Sequence, residues 1–506
     1  MSEHPRTTPP RIAVIGGGIS GLAAAHRLRR LLPRAELRVF ELGERLGGPL
    51  HTLRSGDSLL EQGADSFLIK TPWALDLCRD LGLADQLIPT NEQHRRALVV
   101  RNGKLLPVPD GFVLMRPQNL PAMLRSPVLS VAGKLRLMAE PLVRAPAAVQ
   151  DPDYDESVAS FAARRLGRET YERLVQPLVA GIFVADAKRL SLGATFPEFL
   201  AAEREFGSLW RSVRARKNKS KAEDSGVAGT AKPPLGRELG AERQAAARYG
   251  QFVTLRGGLS ALVAALRKSL CEDVVQLRTR VDGVSRSGPR RFHVASAKHS
   301  ESALFDGVIL ATSTSRSSAM LGELDFELAE RLSRIEYASS AVVTLVYRRD
   351  RIAHSLDGFG VVVPVIESSP MIAASFLNVK FPHTVPADLA VIRVFCGGVL
   401  RPELVHRDDA WLIEMATLEL ADLIGARGKP LETHVARWVN SMPQYEVGHL
   451  KLVAEIESRV ATHDGLQLAG SGYRGVGIPQ CVQSGQAAAE RLAMQLADKA
   501  GGRSTC

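Results

Sequence analysis

Cysteine is scarce in this chain of 506 residues, and it is badly placed for a covalent framework. Cys78, Cys271, Cys396, Cys481 and Cys506 are scattered, odd in number and without a C-x-x-C pair. Reduced thiols in a cytoplasmic protein are the expectation. None of the 12 histidines falls in an H-E-x-x-H or similar spacing, so no metal site is expected. No apolar run approaches the ~18 consecutive residues of a spanning helix. The polar, proline-rich start MSEHPRTTPP resembles neither a secretory signal nor a transit peptide. Acidic residues are outnumbered, 54 against 65 Lys and Arg, and the net charge of +11 favours anionic partners: substrate carboxylates, phospholipid or nucleic acid. A surface property without function explains that charge equally well.

What is present fits a globular protein of two or three domains, with 45% hydrophobic and 24% charged residues. The stretch Arg11 to Glu41, RIAVIGGGISGLAAAHRLRRLLPRAELRVFE, reads as strand, glycine turn, helix, strand and terminal acid. Gly16, Gly18 and Gly21 supply G-x-G-x-x-G. The first permits a tight turn, the second lets a pyrophosphate approach the backbone, and the third allows close packing of helix on strand. The following helix aims its free N–H groups and positive dipole at that pyrophosphate. Glu41, 20 residues after Gly21, ends the second strand where a carboxylate can accept the ribose hydroxyls. With 43 glycines a lone triplet would mean little, but strand, helix and acid all stand in their places.

Glu41 is followed by Arg45, Gly47 and Gly48, and this E-x3-R-x-G-G extension resembles the large flavoprotein superfamily of amine oxidases, phytoene desaturases and porphyrinogen oxidases. The resemblance implies FAD; NAD is the alternative that the bare fingerprint leaves open. Further matches resemble the porphyrinogen oxidases in particular. RALVVRNGKLLPVPDG, from Arg96, reads as a hairpin about Asn102-Gly103. QPLVAGIFVADAKRLSL, from Gln176, is similar to a "PLxxGIYxxDxxxLS" signature. HVARWVNSMPQYEVGHL carries a "W-x4-PQY-x2-GH" string through Trp438 and His449, a histidine better read as satisfying backbone carbonyls in a turn than as a base. YRGVGIPQC, from Tyr473, is similar to the family's carboxy-terminal flavin signature. Gly470, Gly472 and Gly475 make a second G-x-G-x-x-G, but no strand and acid follow it, and position 495 is Gln495. There the expectation is strand, glycine turn and a last helix whose amino end, at about Ile478, faces the flavin.

The resemblance implies cofactor contacts at Gly16, Gly17, Gly18, Ile19, Ser20 and Gly21, at Glu41, Leu42, Arg45, Gly48 and Pro49, and at Gly63, Ala64, Asp65 and Ser66. Val281, Trp438, Ser471, Val476, Gly477 and Ile478 complete that set. Substrate contacts are expected at Arg96, facing a propionate, with Arg95 one position away, and at Ile182 and Phe183 beside Gly181, where the chain is expected to turn. No catalytic base stands out.

The expected fold is α/β, a Rossmann-type FAD-binding domain with a mixed α+β substrate domain and a helical membrane or cavity domain. The expected order is FAD domain in 1–90, 251–325 and 456–506, hairpin and helical domain in 91–210, a mobile basic loop in 211–250, and a substrate sheet in 326–455. The apolar, arginine-bearing helices of 112–146 suit either a membrane surface or a cover for the cavity. The basic loop lacks the stacking aromatics of a nucleic-acid binder, so no nucleic acid is expected. A homodimer is left open. The function so implied is oxidation of protoporphyrinogen IX or coproporphyrinogen III in haem biosynthesis, with molecular oxygen as acceptor. The alternatives are another FAD-dependent amine oxidase or carotenoid desaturase, or a non-catalytic FAD-binding interaction protein.

Overall fold

In a computed structural model, residues 9–215, 251–288, 291–296 and 303–500 are described. The apolar run after Arg11 forms a strand, Arg11–Ile15, whose Ile12 to Val14 are fully buried, as a strand covered on both faces must be. It sits in the middle of a five-stranded parallel sheet. Val275–Gln276 and Glu36–Phe40 lie on one side of it, Gly307–Leu310 and Leu466–Leu468 on the other. Ile12 is level with both Leu37 and Gly307, so chain segments hundreds of residues apart share one register. The helix Ile19–Leu31 and the closing helix Ile478–Ala500 pack against this sheet and each other, with Leu22, Leu28, Val482 and Leu492 buried between them. The closing helix begins at Ile478, where its glycine turn requires.

A second sheet has seven strands, in the order Glu432–Pro443, Tyr337–Arg348, Leu389–Gly397, Met371–Phe376, Gly360–Val362, Leu98–Arg101 and Lys104–Pro107. Its pairs are antiparallel except Val361 beside Leu98. The hairpin turns at Asn102 and Gly103, both with positive φ (51° and 71°), the geometry that Asn-Gly favours. Sequence reading sets that hairpin apart, whereas the structure makes it the edge of the substrate sheet.

Helices Leu120–Arg125, Val131–Met138, Val158–Leu166, Gln176–Phe183 and Pro197–Phe206 form the helical part. Two local expectations change. Gly181 does not turn the chain but lies within a helix, which ends at Val184 in a left-handed conformation (φ 53°). Residues 211–215 continue a helix, because Glu140 accepts from the Leu209 and Trp210 N–H groups that begin it. The rest of the basic loop expected over 211–250 lies outside the described residues.

Glu140 belongs to a buried ionic network. Arg165, fully buried, meets Glu140 at 3.3 Å and also pairs with Glu203, and Arg164 joins Glu203 to Glu156. A buried charge keeps its place only while its partner remains. Glu140→Ala is expected to destabilise the protein by about 3–5 kcal/mol, measured by chemical denaturation. Glu140→Gln, which keeps an acceptor for Ser208 and Leu209, is expected to cost less.

Candidate cofactor and substrate cavity

The glycine turn is shaped as much by what cannot fit as by what is there. A Cβ on Gly16 would lie 2.5 Å from the Ala311 carbonyl oxygen, and one on Gly21 would collide with the Gly16 carbonyl. Helix and strand therefore meet closer than any side chain permits. Gly18 is the exception, since a Cβ there would meet nothing within 4 Å. Its face opens on a cavity of about 720 Å³. Gly18 is also the cap residue of the helix Ile19–Leu31, has no capping side chain, and leaves no acidic residue in the first turn. The helix's first N–H groups are thus available to an anion, which suits a pyrophosphate.

Glu41 directly follows the strand Glu36–Phe40, with each carboxylate oxygen fixed by backbone: Gly17 N–H donates at 2.7 Å and Gly43 N–H at 2.6 Å. The remaining lone pairs suit ribose hydroxyls. Arg45 donates to the Leu46 and Gly48 carbonyls and so holds the loop that brings Gly47 against Gly17. Leu42 is exposed, and Val281 pairs with Ser296 in a hairpin packed on the sheet.

The cavity brings together much of the expected set: Gly18, Ile19, Ser20, Pro49, Gly63, Ala64, Asp65, Ser66, Trp438, Ser471, Val476, Ile478 and Ile182 all line it. Trp438 Nε1 donates to the Gln62 carbonyl at 2.8 Å, tying the substrate sheet to the 63–66 segment. Other residues fall elsewhere. Phe183 turns into the helical core, edge-on to Phe196 with ring centroids 5.6 Å apart. The Arg96 guanidinium is taken by both the carboxylate and the carbonyl of Asp357, while its neighbour Ala97 lines the cavity. Arg95 is spent on the Asn91 and Thr90 carbonyls. His449 is buried with Nε2 2.8 Å from the Tyr473 carbonyl oxygen and its ring stacked on Tyr445, so it acts in packing.

Sequence reading missed the charged residues at the cavity. Lys380, at the end of the short helix Leu377–Lys380, and Arg393, in the strand Leu389–Gly397, converge on Asp65, at 2.7 Å and 3.2 Å. Burial alone would raise the Asp65 carboxyl, but the Lys380 ammonium and the Arg393 guanidinium hold it at about 2. No periodic pattern marks a pair that a fold brings together over more than 300 residues.

Behind them, Glu61 is 3% exposed and accepts from Leu259 N–H and Thr52 Oγ1. Burial pushes its carboxyl up to about 7, against the pull of those hydrogen bonds. The unfolded chain, with an ordinary carboxyl, loses this proton first, so the group stabilises the fold fully at low pH and less as pH climbs toward 7. Glu61→Gln mimics the protonated form. Its Tm relative to wild type is expected to rise between pH 5 and pH 8, and a difference that is flat in pH would show that Glu61 is ionised throughout.

Comparison with known proteins agrees with this geometry. A coproporphyrinogen III oxidase of Bacillus subtilis (strain 168) is 30% identical over 482 residues, 94% of this chain and 96% of that one. Protoporphyrinogen oxidase 2, chloroplastic/mitochondrial, of Arabidopsis thaliana is 29% identical over 496 residues, 95% and 93% of the two chains. A crystal structure from Exiguobacterium sp. 255-15, provisionally assigned as a protoporphyrinogen oxidase, superposes with a TM-score of 0.82 at 27% identity, over 97% of this chain and 100% of that one. The model of the flavin containing amine oxidoreductases matches residues 19–493. With a dinucleotide cradle that fits FAD and a family match across nearly its whole length, this chain belongs to the flavin containing amine oxidoreductases and is an FAD-dependent enzyme.

Proposed function

We propose that the enzyme oxidises a porphyrinogen, protoporphyrinogen IX or coproporphyrinogen III, to the corresponding porphyrin in haem biosynthesis. The observation that carries the reading is the cavity itself, which runs from the cofactor cradle at Gly18 to an apolar wall of Leu178, Ile182, Val361, Val362 and Ala374. Such a wall suits a flat macrocycle, whose rings are apolar and whose carboxylates lie at the edge. Similarity to curated enzymes of both names supports the ring system and leaves its edge groups open. FAD, when bound, supplies the two-electron acceptor for hydrogen leaving a ring-bridging carbon, with molecular oxygen restoring it.

The chain's own contribution is orientation and exclusion of water. The helix Gln176–Phe183 and the strand Gly360–Val362 present Ile182 and Val361 to the same cavity, so a ring between them sheds its hydration. Arg96, 39% exposed and paired with Asp357, adjoins Ala97 in the cavity lining, and we assign it to a substrate propionate that displaces Asp357. The two porphyrinogens should be assayed separately by porphyrin fluorescence under air. Turnover of either is expected, while peroxide release with amines alone would move the enzyme to another branch of the family. Arg96→Ala is expected to raise KM by about tenfold, the loss of one charged hydrogen bond; an unchanged KM would leave Arg96 to Asp357 alone.

The helical part suits a membrane surface. No helix among the described residues is long and apolar enough to cross a membrane. Val131, Leu135 and Met138 nevertheless share one face of a helix and are 75%, 63% and 43% exposed, with Leu142 on the next turn at 82%. Exposed Arg125 and Arg144 flank them, and apolar side chains ringed by cations fit the interface of an anionic bilayer. Sedimentation with vesicles containing phosphatidylglycerol is expected, and Leu135→Glu with Leu142→Glu should abolish it. Binding that survives both changes would place the contact elsewhere.

A further inference from the structure

The charged cluster at Asp65 has more positive than negative charge in it, and its strongest donor is not fully used. Arg393 is 1% exposed, lines the cavity, and has its Nε unpartnered; its other nitrogens meet the Gly63 carbonyl and Asp65. Lys380 also lines the cavity, bonds Asp65 Oδ1 at 2.7 Å and Ser66 Oγ at 3.0 Å, and lies over the Phe252 and Phe381 rings. Two fixed cations thus face one ionised carboxylate. The next acid, Glu61, does not even the count below neutral pH, since burial holds its proton to about 7.

The cluster is placed on the cofactor's portion of the cavity. Its segment, Gly63 to Ser66, packs on the loop before Leu50: a Cβ on Gly63 would collide with the Pro49 carbonyl, and Pro49 shares the lining with Gly18. A surplus positive charge lining a cavity favours whichever bound state is more negative. A flavin that takes up a hydride, two electrons with one proton, gains one negative charge. We propose that Lys380, Arg393 and Asp65 act together as an electrostatic setting for the flavin, with Lys380 and Arg393 stabilising its reduced state and Asp65 limiting that stabilisation while holding both cations in place.

This inference rests on the flavin, not on the porphyrinogen, and its test needs no substrate. Wild type, Lys380→Met, Lys380→Arg and Asp65→Asn are purified as holoenzymes. Their reduction potentials are read against a reference dye, and sulfite, which adds to the oxidised flavin to give an anionic adduct, is titrated by absorbance. At an effective dielectric constant of about 20, one unit charge about 12 Å from the ring is worth about tenfold, which is about 30 mV for a two-electron couple. Lys380→Met is expected to lower the potential by that amount and weaken sulfite binding about tenfold. Asp65→Asn is expected to move both readings the opposite way, and Lys380→Arg to leave them near wild type. Should Lys380→Met fold poorly, Lys380→Gln gives the same charge change with a polar head. Shifts of the same sign in the Lys380 and Asp65 variants, or none in either, would overturn the proposal, because a merely structural cluster has no reason to respond to the sign of the charge removed. A wild-type protein that purifies without FAD would instead overturn the flavin assignment.

Discussion

No side chain fits between Gly21 and the carbonyl of Gly16, and much of the molecule depends on that closeness. It lets the helix Ile19–Leu31 settle on the first strand, and it leaves Gly18 with an open face at the helix's amino end. The closing helix uses the same economy on the other side. A Cβ on Gly485 would collide with the Ser20 carbonyl, so this helix too lies against backbone. Two helix amino ends, at Ile19 and Ile478, thereby line one cavity, and the dipoles of both favour negative charge there.

The parallel sheet is assembled from three stretches of chain, and the cavity inherits that discontinuity. Gly18, Ala311 and Gly470 each follow a neighbouring strand, which is where ligands lie in an open parallel sheet. The substrate sheet and the helical part close the space from elsewhere, with Trp438 bonded to Gln62 as one tie between them. A cofactor lying across these segments binds only the folded arrangement, so its binding free energy adds to the stability of the fold.

Legibility followed locality. The fingerprint, Glu41, the Asn102-Gly103 turn and the helix start at Ile478 are set by neighbours in the chain, and each stands where its residues imply. The Glu432–Pro443 strand and the hairpin's place at the sheet edge depend on partners far away, and alternation alone did not reveal them. Arg96 shows the same limit at the level of one side chain. Its segment is correctly a hairpin beside the cavity, but Asp357, which claims its guanidinium, lies 261 residues on. The Lys380, Arg393 and Asp65 cluster and the Arg165 network were invisible for that reason.

Those two charged groups divide the electrostatic work. The Arg165 network sets two guanidinium groups against Glu140, Glu203 and Glu156, with Arg165, Glu140 and Glu203 fully buried, and so fixes how the helices stack. The Asp65 cluster leaves one cation in surplus beside an open cavity, where low polarisability makes a fixed charge act over distance. Replacing Lys380 alone by an apolar residue would take one of two partners from the largely buried Asp65, much as removing Glu140 would strip a partner from Arg165. The surplus charge is therefore held by the same pairing that places it, and it faces the cavity where a bound state with extra negative charge can use it.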